Sequence, residues 1–435
     1  MKRVSQLSAL AMILGLASFS SFAADMAQPL TLAQLQQQHG TVIDTRASAF
    51  YNGWPQTLSG PSGHEPAALN LSAGWLNVMS DDQLSGWAKQ HNLTADAVIA
   101  LYGSDADNQA VKARLSQAGY RQITLLGDAL QKADRLQRLP HFEQLVYPQW
   151  LHQLKQGKPV AAAPTGDYKI IEAAWGAPKF YLLNHIPGAG YIDTNEVESE
   201  PLWNKVSDDK LKALLAKQGI RHDTTVILYG RDVYAAARVA QIMLYAGVKD
   251  VRLLDGGWKT WSDAGLPVER GMPANVAPAN DFGATIPGQP QLMVDMEQAR
   301  SMLHRRDASL VSIRSWPEFI GETSGYSYIK PKGEIAGARW GHAGSDATHM
   351  EDFHNPDGTM RSADDIAAMW KQWNILPDQR VAFYCGTGWR ASETFMYARA
   401  MGWNNVAVYD GGWYEWSSHP QNPVTTGPVT PDSTL

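Results

Sequence analysis

The sequence predicts an α/β protein built as three tandem units, each a mostly parallel sheet with helices on both faces. Three observations predict it. An amphipathic stretch opened by serine recurs: "SDDQLSGWAKQHNL" from Ser80, "SDDKLKALLAKQGI" from Ser207 and "SADDIAAMWKQWNIL" from Ser362. A short apolar run follows each, "AVIALYG", "TVILYG" and "VAFYC". The spacing is constant, because Ser80 to Gly103, Ser207 to Gly230 and Ser362 to Cys385 each span 23 residues. Continuous apolar runs alternating with helical periodicity mark a parallel sheet covered on both faces. Gly103, Gly230 and Cys385 therefore occupy one structural position in three repeats.

In chain order, "MKR" is a positive n-region and "LSALAMILGLASF" an apolar stretch too short to span a bilayer. Small residues at Ser21 and Ala23 suit cleavage after Ala23, so residues 1–23 read as a signal peptide and the mature protein as periplasmic. Loss of Lys2 and Arg3 leaves 35 basic against 43 acidic residues, a charge of −8. The first unit, 24–145, opens on "TVIDTR" at 41. Its serine-led helix presents Leu84, Trp87 and Ala88, and "VKARLSQAGYRQITLLGD" supplies helix, glycine and strand.

The second unit, 146–275, opens on "KIIEAAW" at 169 and presents Leu211, Leu214 and Leu215. The third, 276–435, opens on "SLVSIRSW" at 309 and presents Ile366, Met369, Trp370 and Trp373. Both later units end in a glycine-punctuated helix and a strand that closes on "DGGW", with Asp255 and Asp410 each 25 residues after Gly230 and Cys385. The serines are candidate N-caps, and the acidic residues behind them suit a helix N-terminus. "QLKQGKPVAAAPTGDY" and the Pro-, Ala- and Gly-rich "PVERGMPANVAPANDFGATIPGQP" read as extended connections.

Composition narrows the function. With 44% hydrophobic and 18% charged residues the chain has material for several cores. A net charge of −6 and the lack of a basic patch interleaved with aromatics exclude nucleic acid as the expected partner. The 16 tryptophans read first as core. No stretch after the leader is long and apolar enough for a membrane span. Cys385 is the only cysteine, so no internal disulfide can form even in an oxidising compartment. A lone cysteine with scattered histidines lacks metal-ligand spacing, and neither metal nor other cofactor is expected.

The stretch "VAFYCGTGWRASETF", 381–395, puts that thiol at the end of an apolar strand, before a glycine turn and a helix start. In a parallel sheet, ligands sit beyond the carboxyl ends of the strands. Gly386 and Gly388 let the backbone curl around one atom, and the N–H groups from Gly386 through Thr387, Gly388 and Trp389 to Arg390 are free to face the sulfur. Such a setting favours the thiolate, which is the nucleophile. Arg390 would hold an anionic donor and Trp389 would wall the pocket.

In these features the chain resembles the rhodanese family of sulfurtransferases. The resemblance rests on "HIPGA" at 185–189 and "EIAGA" at 334–338, on "DGGW" at 255–258 and 410–413, and on "RSWPEFIGE" at 314–322. It covers nearly all of the mature chain and implies three tandem rhodanese-like domains. It further implies that Cys385 takes a sulfane sulfur from a small donor such as thiosulfate or mercaptopyruvate. The resulting persulfide would give that sulfur to a thiol, to cyanide or to a protein acceptor, within a cradle of residues 386–390. "CGTGWR" resembles the loops of the thiosulfate and mercaptopyruvate enzymes. Glycine cannot carry sulfur, so the first two units are expected to be inactive. The family's opening motif has an aspartate before its arginine. Asp44 and Arg46 keep it, whereas the third unit has Ser312 before Arg314. Glu318 stands where some thiosulfate-specific relatives carry a basic residue. Arg314, Arg339 and His342 are further candidate charges near the site.

Two other functions fit parts of the pattern. Cysteine-dependent phosphatases also use a cysteine, a cradle and an arginine, typically with five residues between the two. Here four residues separate Cys385 from Arg390, and position 391 is alanine. A partner-binding or sulfur-carrier protein with little turnover fits the two unarmed units.

Overall fold

The computed structural model describes residues 27–434. The leader expected at 1–23 lies outside the described residues. Three five-stranded sheets share one strand order. The first holds β1 (Ala27–Leu30), β2 (Thr41–Asp44), β3 (Leu69–Asn70), β4 (Val98–Tyr102) and β5 (Gln122–Leu126), ordered β1-β5-β4-β2-β3. The second holds β6 (Leu145–Val146), β7 (Tyr168–Ala174), β8 (Gly190–Asp193), β9 (Thr225–Tyr229) and β10 (Asp250–Leu254), ordered β6-β10-β9-β7-β8. The third holds β11 (Met293–Val294), β12 (Ala308–Ser312), β13 (Arg339–Trp340), β14 (Arg380–Tyr384) and β15 (Val406–Tyr409), ordered β11-β15-β14-β12-β13.

Every pairing within these sheets is parallel. Burial on both faces is what their apolar runs require. Each sheet centres on the strand that ends before Gly103, Gly230 or Cys385, so those three positions lie at the carboxyl edges of their sheets.

The serine-led helices form as expected: α1 (Asp81–Gln90), α3 (Asp208–Lys217) and α5 (Ala363–Lys371), with α2 (Asp105–Gln117), α4 (Val233–Ala246) and α6 (Trp389–Ala400) following the central strands. The hydroxyls of Ser80, Ser207 and Ser362 accept from the N–H groups of Gln83, Lys210 and Asp365 at 3.1, 3.4 and 3.3 Å. Each cap contributes about 1 kcal/mol. Gln153–Lys155, read as linker, instead close a helix over Pro148–Lys155 whose Trp150 and Leu151 are buried. Residues 156–167 and 270–289 carry no helix or strand. Trp54, Trp150, Trp261, Trp370, Trp413 and Trp416 are fully buried, so much of the tryptophan content serves the cores. No helix among the described residues is long and apolar enough to cross a membrane.

The second and third units meet through α4 and α6. Twelve of the residues of α4, Ala235 to Ala246, are buried, and one apolar cluster runs from Leu228 and Val239 through Phe395 and Met396 to Phe383. A helix that is apolar all round must be covered on all sides. The contact has an approximate two-fold relation. Asp410 accepts from the N–H of Lys205 at 2.9 Å, and Asp255 accepts from the N–H of Met360 at 2.8 Å. Lys205 and Met360 each stand two residues before their helix-capping serine.

Arg238 and Glu393 correspond in the same way, eight residues after Gly230 and Cys385. Arg238 joins Glu198 and Asp410, whereas Glu393 bonds His354 beside Asp255.

Burial pushes the Asp255 carboxyl up to about 7, reinforced by Asp357 and Glu393 and opposed by the Met360 N–H and by His354. Burial alone would lower His354, but Glu393 and Asp255 outweigh it and raise the imidazole. Between the ordinary aspartate value and about 7, folded Asp255 binds a proton that the unfolded chain releases. Its stabilising contribution is therefore complete in acid and lost as pH rises through that window. His354 acts in the same direction above its ordinary value. The urea midpoint of the wild type is expected to fall relative to that of Asp255→Asn between about pH 4 and pH 7 and to level off above that. Parallel midpoint curves for the two proteins would contradict this.

Candidate active site

The site is built from the carboxyl end of β14. The strand is apolar and wholly covered except at Arg380, and it delivers Cys385 at 1% exposure. The chain then turns through Gly386, Thr387 and Gly388 into α6. The Gly388 N–H donates to Cys385 Sγ at 3.1 Å, with Gly388 at φ +117°, a conformation that favours glycine. Gly386 admits a ring, because a Cβ there would lie 2.2 Å from Tyr326. The "DGGW" loop supports the turn from below. Trp413 N–H donates to the Cys385 carbonyl at 2.8 Å and Tyr414 N–H to the Gly386 carbonyl at 3.1 Å. Of the N–H groups from 386 to 390, Gly388 is the one that bonds the thiol sulfur.

Arg390 does not present a free charge. Its guanidinium is 1% exposed and forks onto Glu318, Nη1 to Oε2 at 2.8 Å and Nη2 to Oε1 at 2.9 Å. Nη2 also donates to the Tyr326 hydroxyl at 2.9 Å. The sequence led to the expectation of an arginine open to an anionic donor; in the structure its fork is occupied by a carboxylate 72 residues away in sequence. Glu318 further accepts from the N–H and hydroxyl of Ser315 at 2.9 and 2.7 Å. Burial pushes the Glu318 carboxyl up, but Arg390, Arg314 and Ser315 outweigh it and hold it down to about 2.

Trp389 is half-buried, packs on Tyr234 with ring centroids 5.7 Å apart, and donates its indole N–H to Glu198 at 2.6 Å. It therefore walls the turn on the side of the second unit. Thr387 lies against the Tyr328 hydroxyl, and Tyr328 and Tyr414 pack ring to ring at 5.7 Å.

The other candidate charges divide. Arg314 lies beside the site, bonding the Gly333 carbonyl at 2.8 Å and Glu334 at 3.1 Å, 3.6 Å from Glu318. Ser312, which replaces the family aspartate, donates to Glu334 at 2.7 Å. The carboxylate that Asp44 provides to Arg46 in the first unit, at 2.7 Å, is supplied in the third by Glu334 of "EIAGA". Arg339 turns the other way, to Ser309 at 2.6 Å and the Asn374 carbonyl, at the amino end of β12. His342 stacks on Trp340 at 3.7 Å with Nδ1 3.7 Å from Asp352, within an aromatic group that also holds Trp316, Phe319 and Trp373.

Sequence reasoning missed Tyr326, Glu198 and Arg238. Arg238 had a signal, being one arginine in the apolar run "AAARVAQIML". A cleft of about 620 Å³ lies between all three units and is lined by Trp75, Tyr234 and His354 but not by Cys385. The chemistry of the thiol loop, not cavity size, marks it as the site.

A family model described as Rhodanese-like domain matches residues 148–264 and 295–419. The thiosulfate sulfurtransferase YnjE of Escherichia coli K12 is 78% identical over 433 residues, covering 100% of both chains. The thiosulfate sulfurtransferase of Bos taurus is 27% identical over 63% of this chain and 92% of its own. Among solved structures, the crystal structure of YnjE matches with a TM-score of 0.94 at 78% identity, covering 96% of this chain and 100% of that one. Wild-type EanB matches with a TM-score of 0.87 at 36% identity, covering 92% and 98%. Other EanB structures hold hercynine or ergothioneine, one of them with a cysteine persulfide.

Breaking the buried pair should be costly. Glu318→Gln leaves the buried Arg390 guanidinium without its carboxylate, while Arg314 keeps Glu334, and is expected to lose about 3–5 kcal/mol in urea unfolding. Glu318→Met combined with Arg390→Met should lose much less. A single-variant loss under about 1 kcal/mol would contradict the pairing.

Proposed function

The chain belongs to the rhodanese family, and we propose that it moves a sulfane sulfur from thiosulfate through a persulfide on Cys385 to a thiol or to cyanide. The observation that carries this reading is a unique thiol on a glycine turn, its sulfur already accepting a backbone N–H. The thiolate attacks the outer sulfur of thiosulfate. The S–S bond of the donor breaks, sulfite leaves with the bonding pair, and Cys385 keeps one added sulfur as the persulfide anion. Cyanide or a thiolate then attacks that outer sulfur, and the pair of the breaking bond returns to Cys385. Such covalent relay divides one transfer into two easier ones.

The turn at Gly386–Gly388 and the amino end of α6 favour negative charge at the sulfur. Domains over 24–145, 146–275 and 276–435 are part of the proposal, with sulfur carried only by the third. Gly103 and Gly230 in the other two have no side chain to bear it.

EanB, which is seen with hercynine and with a cysteine persulfide, motivates a second reading. The arginine beside Cys385 is neutralised by Glu318, and the phenol rings of Tyr326 and Tyr328 flank the loop. That lining also suits an aromatic, cationic acceptor: a ring carbon would attack the outer sulfur, the pair of the S–S bond would return to Cys385, and the proton displaced from that carbon would end on a ring nitrogen, giving a thione.

Cys385→Ser should retain its far-ultraviolet circular dichroism and form no thiocyanate from thiosulfate and cyanide. Thiocyanate at the wild-type rate from that variant would refute the assignment, and phosphate release from a chromogenic ester by the wild type would favour the phosphatase chemistry. Conversion of hercynine with no thiocyanate would favour the second reading.

We further propose that residues 1–23 are an export signal and that the mature protein begins at Ala24 in the periplasm, on the strength of the charged, apolar and small-residue order. Amino-terminal sequencing of protein from the native periplasm should begin at Ala24; protein retained in the cytoplasm with Met1 intact would overturn this.

A further inference from the structure

Arg238 belongs to the second unit, yet its side chain ends at the loop of the third. It is 0% exposed and sits in an otherwise apolar part of α4. Nε donates to Glu198 at 2.9 Å, and Nη2 donates to Asp410 at 2.7 Å and to the Trp203 carbonyl at 3.1 Å. Both carboxylates pass the contact onward. The second oxygen of Glu198 accepts from the Trp389 indole at 2.6 Å, at the first residue of α6. Asp410 opens the "DGGW" loop, whose Trp413 and Tyr414 N–H groups hold the carbonyls of Cys385 and Gly386. Between these arms, Nη1 has no hydrogen-bond partner and lies 2.8 Å from where a Cβ on Gly388 would be. Gly388 is the residue whose N–H meets the sulfur. One guanidinium thus grips the cradle from both sides and packs against its centre.

The related position across the two-fold shows that packing alone does not demand this arrangement. There Glu393 bonds His354 beside Asp255, and no thiol loop is attached, because Gly230 stands where Cys385 would be. We propose that Arg238 is a positioning residue for sulfur transfer: through Glu198 and Asp410 it fixes the Gly388 N–H on Cys385 Sγ, so that a side chain of the second unit braces the thiol loop of the third. The inference rests on the sulfurtransferase reading. Arg238 acts through other groups and need not touch the donor, so its loss should lower kcat and leave KM for thiosulfate nearly unchanged.

The experiment uses the full chain. Arg238→Met alone would strand two buried carboxylates, so it is combined with Glu198→Gln and Asp410→Asn, which removes the charges together. Arg238→Lys is made in parallel, because it keeps charge but cannot fork onto both partners. Asp255→Asn controls for damage at the related end of the interface. Two quantities are read: sulfite release in single turnovers over a series of thiosulfate concentrations, which gives the saturating rate and the half-saturating concentration, and the rate at which iodoacetamide alkylates Cys385.

The triple variant should melt near the wild type, release sulfite roughly ten- to a hundredfold more slowly with KM within about twofold, and alkylate at least about tenfold faster as the buried thiol loosens. Arg238→Lys should fall between, and it decides the matter if the triple variant does not fold. Asp255→Asn should match the wild type in both readouts. Wild-type sulfite and alkylation rates in the triple variant, or in Arg238→Lys when the triple variant is unfolded, would overturn the inference. If the wild type itself releases no sulfite, the sulfurtransferase reading fails and the alkylation rates alone decide whether Arg238 holds the loop.

Discussion

Two helices that are each buried nearly all round can be satisfied only by covering one another, and the packing of α4 on α6 is the constraint on which the site depends. α6 starts at the glycine turn behind Cys385, so whatever fixes α6 fixes the direction of the loop N–H groups. α4 comes from a unit whose own loop has glycine in place of the thiol. The shared apolar cluster makes the second and third units one body around the thiol. Burial on that scale also explains why charges found within the interface are paired. An unpartnered ion there would cost several kcal/mol, and Arg238, Glu198, Asp410, Glu393 and His354 all have partners of opposite sign.

The same logic governs the underside of the loop. Arg390 and Arg314 lie at or below 1% exposure, and Glu318 and Glu334 are the carboxylates that make their burial tolerable. Two guanidiniums and two carboxylates form a nearly neutral floor beneath Cys385. Neither guanidinium stands free of a carboxylate beneath the thiol. This places Glu318, which departs from the basic residue of some relatives, among the residues that shape the site.

Much of this was legible in the sequence. The 23-residue spacing located the capping serines and the central strands, and with them the placement of Cys385 at the end of a central strand. Local signals suffice there because caps, strands and glycine turns depend on a few neighbouring residues. What stayed hidden depends on contacts across many residues. Arg390 offered no sign that its partner is Glu318, 72 residues away, when Glu393 stands three residues on. Ser312 looked like a missing charge until Glu334 was seen to supply it from the adjoining segment. Tyr326 lies in "SGYSYIK", a loop without periodicity, and its role depends on the absence of a Cβ at Gly386. Arg238 was the exception, because one arginine inside an apolar helix must find a buried partner, although the sequence did not say which.

The central claim is that the chain's only thiol takes and returns one sulfur within a loop held between two units. The most direct test is peptide-resolved mass spectrometry of the full chain, mixed with thiosulfate and trapped before an acceptor is added. The account predicts one added sulfur, about 32 Da, confined to the peptide containing Cys385 and removed by cyanide or a thiol. A chain that gains no sulfur from thiosulfate, or gains it on any other peptide, would contradict the account.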